Sequence, residues 1–224
     1  MKNLSKNILI VVLARKNSKR IKNKNIRKIN GKSLVYITLE FAQKLKSFNI
    51  LVSTDSDKVK KIAKNFKKVL IHDRSKKYSG DNSQSLVLIS KIVKWYNNKF
   101  NEKIKGVILL QPTSPYRKKS IILKCIDSFV KNNYKYNYIS VSKNIINSNL
   151  MMDKKNFLKI KKKISGSNVK VNGNFYIFNI NKIRNSVKET INKYNTKGIL
   201  LSSSKDCIDI DNYKDLKFAR SFET

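Results

Sequence analysis

Two aspartates one residue apart, Asp209-Ile210-Asp211, stand near the C-terminus of a 224-residue chain with 14 acidic side chains against 50 basic ones. On an extended segment that spacing puts both carboxylates on one side. Such a pair suits a magnesium ion, which binds through one or two carboxylates plus substrate phosphates. At the other end of the chain, Arg15-Lys16-Asn17-Ser18-Lys19-Arg20, then Lys22 and Lys24-Asn25, concentrate cations in one loop. Two or three of them could embrace a triphosphate, each charged contact being worth roughly 1.5–3 kcal/mol. Arg15 and Arg20 are two of only seven arginines. In a chain that otherwise uses lysine, the rarer residue is suggestive, because guanidinium holds phosphate in a fixed fork. Neither GxGxxG nor GxxxxGK[ST] occurs, so dinucleotide and P-loop phosphate binding are not indicated.

Both prolines of the chain, Pro112 and Pro115, fall in LLQPTSPYR at 109–117. Each fixes φ near −65° and pushes the preceding residue toward extended geometry. The expected result is a stiff turn that presents Gln111 and Arg117 to a cleft and loses little entropy when a ligand binds. Ser53-Thr54-Asp55-Ser56-Asp57 reads as the cap of a following helix. His72 is the one histidine and has no nucleophile-elbow pattern beside it, which favours a structural role.

These residues need a scaffold, and the hydrophobic pattern supplies one. ILIVVLA (8–14) is a short, β-branched apolar run, as a strand buried on both faces should be. A helix is expected near 33–46 and a strand at 49–54. A helix at 57–66, a strand at 68–72, a helix at 83–96 and a strand at 106–111 follow. A helix at 119–131 and a strand at 138–142 continue the alternation. It implies a parallel sheet with helices on both faces and right-handed crossovers. Ligands of such sheets bind beyond the carboxyl ends of the strands, where the loops named above begin. The rhythm breaks at about 143–171, read as an embedded arm with hairpin strands near 149–152 and 157–161. A strand at 174–179, a short helix at about 181–185, a strand at 199–203 and a closing helix at 211–222 complete the chain. Asn212 is placed to cap the last helix, with Asp215 three residues on as a capping-box partner. A single domain over 1–224 is expected.

The formal charge is +36. Forty-three of the basic residues are lysine, spread along the whole chain beside 28 asparagines. This profile fits a genome short of G and C better than a dedicated polyanion surface, although so high a charge would still attract an anionic substrate. Cys125 and Cys207 form neither a disulfide framework nor a metal pattern, and a reduced, cytoplasmic protein is expected. No apolar run approaches 18 residues, and no secretory signal is seen.

Six blocks, in order, carry a family resemblance: VVLARKNSKRIKNKNIRKINGKSL (11–34), VSTDS (52–56), RSKKYSGDNSQS (74–85), LLQPTSPYR (109–117), VNGNFYIFN (171–179) and DIDNYKDL (209–216). The chain resembles the acylneuraminate cytidylyltransferases, or CMP-sialic acid synthetases, over nearly its whole length. The resemblance implies an α/β, Rossmann-like, three-layer, mostly parallel sheet with an embedded dimerisation arm, in a homodimer that uses CTP and Mg2+. It implies attack of an acid sugar's 2-hydroxyl on the α-phosphate of CTP, with pyrophosphate leaving. By the same resemblance Arg15, Lys19 and Lys24 bind the triphosphate with Ser18 beside them, and Asn25, Arg74, Ser83 and Ser85 read cytosine. Gln111, Asn172 and Tyr176 hold the sugar, and Asp209 and Asp211 are the magnesium carboxylates. Three departures stand out. Lys22 replaces a frequent proline, which implies a looser first loop. Ser75 replaces proline after Arg74. The usual Arg-Gln-x-Leu-Pro segment before Asn172-Gly173 has no match, and the lysines at 159, 161, 162, 163 and 170 are the cations left near that point for a sugar carboxylate. An eight-carbon acid sugar is the nearest alternative substrate. From another class, a basic nucleic-acid-binding protein on a degenerate enzyme fold is weighed against by the scattered lysines and intact carboxylates.

Overall fold

The computed structural model describes residues 7–75, 78, 85–143, 150–160, 167–191 and 194–222. The main sheet contains β1 (Ile8–Leu13), β4 (Asn49–Thr54), β5 (Val69–Asp73), β6 (Gly106–Leu110), β7 (Asn137–Lys143), β10 (Ser167–Asn179) and β11 (Thr196–Leu200). Their spatial order is β11-β7-β10-β6-β1-β4-β5. All pairings are parallel except those of β10, which runs antiparallel to both β6 and β7. The sheet is thus the mostly parallel one expected. A two-residue hairpin, β2 (Lys28–Ile29) and β3 (Lys32–Ser33), stands apart from it.

Alternate residues of β1 supply two cores. Ile8, Ile10 and Val12 pack with α1 (Leu34–Lys44), α2 (Asp57–Lys64) and α4 (Lys119–Lys131) on one face. Leu9 and Val11 pack with α3 (Ser85–Phe100) on the other. The continuous apolar run is therefore what burial on both faces requires. A third cluster brings Ile21 and Ile29 from the first loop against Ile208, Ile210 and Leu216 from the C-terminal segment. This small core positions the site, because it clamps the cationic loop to the two aspartates. Ile21 is fully buried, and Arg27 donates from Nε to the Lys22 carbonyl at 3.1 Å. The loop is thus anchored despite lacking the proline.

Elements after residue 143 need adjustment. The arm forms β8 (Leu150–Met152) and β9 (Leu158–Ile160), which pair with each other, while β8 pairs with the start of β10. The expected helix at 181–185 is instead a 3-10 turn at Ile180–Lys182 and one α turn, α5 (Val187–Thr190). The last strand begins at Thr196 and ends at Leu200 rather than spanning 199–203. The closing helix, α6 (Tyr213–Arg220), has Asn212 as its cap, in a full capping box with Asp215. No helix among the described residues is long and apolar enough to cross a membrane.

Candidate active site

Four loops leave the carboxyl ends of β1, β4, β5 and β6 side by side, and the bonds among them fix the first loop. Thr54 Oγ1 donates to the Ala14 carbonyl at 2.5 Å, and Asp55 Oδ1 accepts from the Lys16 amide at 2.6 Å. Asn25 Nδ2 donates to the Arg15 carbonyl at 2.9 Å. The 53–57 segment therefore does two jobs. Ser56 caps α2, accepting from the Val59 amide, while Thr54 and Asp55 hold the backbone of the cationic loop. The second job was not read from the sequence, since short polar residues before a helix look the same whether or not they also reach a neighbouring loop.

The result is a cleft of about 430 Å³ lined by Arg15, Ser18, Lys19, Arg20, Lys24, Asn25, Arg74, Ser85, Gln111 and Asp211, with Leu13, Pro112 and Thr113. Nine of the residues predicted for the site meet there. Ser83 lies outside the described residues. Lys24 and Arg74 are 9% and 8% exposed, unusual for such side chains unless they are paired. Lys24 Nζ donates to the Ile210 carbonyl at 2.8 Å and to Asp211 Oδ1 at 3.1 Å. Arg74 Nε donates to the Tyr78 carbonyl at 2.6 Å. Burial pushes the Arg74 guanidinium down from its ordinary value; nearby Asp55 opposes that and Arg15 adds to it.

The proline turn works as expected for Gln111 and differently for Arg117. Ser114 N donates to the Gln111 carbonyl at 3.1 Å, with Pro112 at the position of the turn that favours a preset φ. Arg117, expected to face the cleft, turns inward. It donates to the carbonyls of Asn174 at 2.9 Å and Gln111 at 2.5 Å, and lies over the Phe41 ring. It is a brace that joins the turn, through the Gln111 carbonyl, to the irregular stretch of β10, through the Asn174 carbonyl.

That bulge is the Asn172-Gly173-Asn174 segment. Between Val171↔Val141 and Tyr176↔Ile139, β10 advances five residues while β7 advances two, so three residues are extra. Gly173, at φ +76°, is pressed against the site: a Cβ there would stand 2.7 Å from Gln111 Oε1 and 3.2 Å from Asp209 Oδ2. Asn174 holds the bulge by donating from Nδ2 to the carbonyls of Tyr116 and Asp206. Asn172 is 2% exposed and its Nδ2 has no hydrogen-bond partner among the described residues. Tyr176 departs from its expected place. It is buried in β10, stacked on Phe178, and lines neither cavity; burial, reinforced by Asp209, pushes its hydroxyl up.

A second cavity of about 570 Å³ adjoins the first. Asp209, Asp211, Asn172, Arg20 and Lys170 line it, with Ser204, Cys207 and Asn212 among the rest. Ile210 points the other way, fully buried, so the two carboxylates do share a side. Burial pushes the Asp209 carboxyl up, with a Thr113 hydrogen bond opposing, and its Oδ1 is buried without a hydrogen-bond partner among the described residues. Burial acts the same way on Asp211, but Lys24 and Arg20 outweigh it and hold that carboxyl below its ordinary range. A buried carboxylate oxygen with no donor costs several kcal/mol unless a cation satisfies it. The donor set therefore fits a hard divalent cation at Asp209 and Asp211, with the remaining positions left to phosphate and water.

A family model described as cytidylyltransferase matches residues 9–222. The chain belongs to the cytidylyltransferase family. Among curated members, it is 34% identical over 122 residues to the CMP-N,N'-diacetyllegionaminic acid synthase of Legionella pneumophila, covering 54% of this chain and 52% of that protein. It is also 34% identical over 111 residues to the N-acylneuraminate cytidylyltransferase of Oncorhynchus mykiss, covering 49% and 24%. The chain spans about half the length, or less, of the curated relatives it matches. Among solved structures, a CMP:2-keto-3-deoxy-manno-octonic acid synthetase complexed with CTP superimposes with a TM-score of 0.69 at 13% identity, covering 96% of this chain and 98% of that one. At that identity the likeness shows the cytidylyltransferase's fold alone.

Proposed function

We propose that this chain transfers CMP from CTP to the 2-hydroxyl of a nine-carbon acid sugar, an N-acylneuraminate or related nonulosonate, releasing pyrophosphate. The observation that carries the reading is the convergence of Arg15, Ser18, Lys19, Lys24, Asn25, Arg74, Ser85, Gln111 and Asp211 on one cleft. A second cavity opens beside it at Asp209 and Asn172. The names of the acid-sugar relatives support the substrate class.

In this reading the cleft takes CTP and the second cavity takes the sugar. Arg15, Lys19 and Lys24 bind the triphosphate, while Asn25, Arg74 and Ser85 face the base. Gln111 and Asn172 hold the sugar so that its hydroxyl oxygen bonds to the α-phosphorus as the bond to the β-phosphate oxygen breaks. Asp209 and Asp211 would hold a magnesium ion, which supplies charge stabilisation at the reacting phosphate. Little covalent chemistry is asked of the protein, because phosphoryl-type transfer depends on positioning and electrostatics.

The test is pyrophosphate release from CTP and magnesium with a panel of nine-carbon and eight-carbon acid sugars. Turnover with a nine-carbon sugar supports the reading. Turnover with eight-carbon sugars alone would favour the alternative raised by a Francisella tularensis 3-deoxy-manno-octulosonate cytidylyltransferase, 39% identical over 74 residues. No release with any acid sugar would refute both.

A further inference from the structure

Arg20 is the arginine of the first loop to which the proposed reaction assigns no part, yet it occupies the wall between the two cavities. Arg20 and Asp211 both line each of them. Arg20 Nη1 lies 2.7 Å from Asp211 Oδ2, and Lys24 Nζ holds Oδ1 at 3.1 Å. Both oxygens of that carboxylate are therefore engaged by cations. The Asp209 carboxylate differs, since its Oδ1 has no hydrogen-bond donor among the described residues.

The two cations on Asp211 are not equivalent. The Lys24 side chain is 11% exposed and is also tied to the Ile210 carbonyl. That ammonium is a fixture of the loop-to-loop clamp. The Arg20 side chain is 65% exposed, so it can leave without opening a cavity or stranding a buried charge. A divalent ion approaching Asp211 in the empty protein meets positive charge beside both oxygens, and the guanidinium is the group able to yield. Arg20 shares its loop and its cleft with Arg15, Ser18 and Lys19. A triphosphate bound there offers the guanidinium fork several charged oxygens in place of one carboxylate.

We propose that Arg20 is an internal counter-ion for the metal carboxylate. It closes Asp211 to a divalent cation while the cleft is empty, and a nucleoside triphosphate draws it away, so that metal and nucleotide bind cooperatively. The inference rests on the assignment of Asp209 and Asp211 as metal ligands. It makes Arg20 a positioning residue whose effect is a coupling between two ligands, and that coupling must be reciprocal. An exposed ion pair is worth up to about 1 kcal/mol, which corresponds to about fivefold in affinity.

The experiment uses the full chain with Mn2+ as probe and no sugar, so that no turnover occurs. Free Mn2+ is read by electron paramagnetic resonance, with and without CTP. Without nucleotide, Arg20→Ala and Arg20→Gln should bind Mn2+ about fivefold more tightly than wild type, and Arg20→Lys, which keeps a cation, should resemble wild type. CTP should raise Mn2+ affinity by a larger factor in wild type than in the Ala and Gln variants. Thermal melting of each variant confirms the fold. Unchanged nucleotide-free Mn2+ affinity in both variants, or an undiminished enhancement by CTP, would overturn the counter-ion. Asp211→Asn separates the two layers. If it leaves Mn2+ binding intact in the presence of CTP, the metal assignment itself falls. If it loses Mn2+ while Arg20→Ala matches wild type, the assignment stands and the counter-ion fails.

Discussion

Two glycines with nearly the same φ provide a controlled perturbation of the site. Gly31 has φ +70° with nothing within 4 Å of where a Cβ would stand, and Gly173 has φ +76° with three atoms of the site around it. An alanine forced into the left-handed region costs about 1–2 kcal/mol, and in a protein of this size each kcal/mol shifts Tm by about 2–4 °C. Both Gly31→Ala and Gly173→Ala should therefore lower Tm by about 2–8 °C on the backbone contribution alone. Only the second adds a collision. Its methyl would lie 2.7 Å from Gln111 Oε1, closer than carbon and oxygen tolerate, and 3.2 Å from Asp209 Oδ2 and Ser114 Oγ.

The Gln111 amide is the tip of a flexible side chain, so it can move aside at small cost in stability. Function should bear that displacement. Misplacing a positioning group by about 1 Å can cost about 10²-fold in rate, so Gly173→Ala should lose turnover on that scale while Gly31→Ala keeps it. The assay is pyrophosphate release at saturating CTP and acid sugar, beside thermal melts of both variants. Equal stability losses with equal, undiminished turnover would refute the idea that Gly173 is small in order to leave room for Gln111.

Other outcomes follow from the same geometry. Asp209→Ala and Asp211→Ala should each lower turnover by about 10²–10³, the scale of a lost charge-stabilising group, with far-UV dichroism unchanged; full activity in both would refute the metal site. Arg15→Lys should fail to restore what Arg15→Ala loses in KM for CTP, because a point charge does not replace the guanidinium fork; an Arg15→Lys enzyme equal to wild type would show that charge alone suffices. Of the lysines considered for the sugar carboxylate, Lys161, Lys162 and Lys163 lie outside the described residues, whereas Lys170 is exposed and lines the second cavity with Asn172, so Lys170→Ala should raise KM for sugar about tenfold, or about 1.4 kcal/mol, and leave that for CTP unchanged. An unmoved sugar KM would place the carboxylate elsewhere. Burial pushes His72, 3.1 Å from Ser53 Oγ and edge-on to Trp95, down from its ordinary 6.5. Its stability contribution is thus full above that value and declines as pH falls beneath it, and His72→Asn should flatten denaturation stability between neutral and mildly acid pH; an unchanged slope would refute the assignment.

What the sequence made legible was whatever a single element decides. The strand runs and helical faces through α4 lie within a few residues of their expected bounds, because burial on one or two faces dictates residue type directly. The turn between β2 and β3 also carried a signal that was passed over. Asn30 and Gly31 both have positive φ, and Asn-Gly is the strongest short hairpin signal. The errors fall where a second element decides. Thr196-Lys197-Gly198 looks too polar for a strand, but it pairs with β7, and Gly198 is small because Leu158 of the arm sits on it, 2.6 Å from a notional Cβ. ILLSS looked better on composition, yet pairing stops at Leu200. Arg117 was expected in the cleft; the Asn174 carbonyl, in a bulge 57 residues away, claims it. Arg20 could be seen as an arginine, but not as the partner of an aspartate near the opposite terminus.

The reversal of β10 adds a different kind of wall to the site. β1, β4, β5, β6, β7 and β11 all run one way, and the loops that follow them, including the segment after β11 that carries Asp209 and Asp211, leave from one edge of the sheet. β10 runs the other way and pairs Tyr176 with Leu109, two residues before Gln111. The residues of β10 that reach the cleft edge are therefore interior ones, 172–174, with paired strand on either side of them. Asn172 and Gly173 are held at both ends by the sheet and from the side by Arg117 and Asn174. A site wall built on a strand is more closely fixed than one built on a loop. That rigidity is what lets a glycine, with no chemistry of its own, set the distance between Gln111 and Asp209.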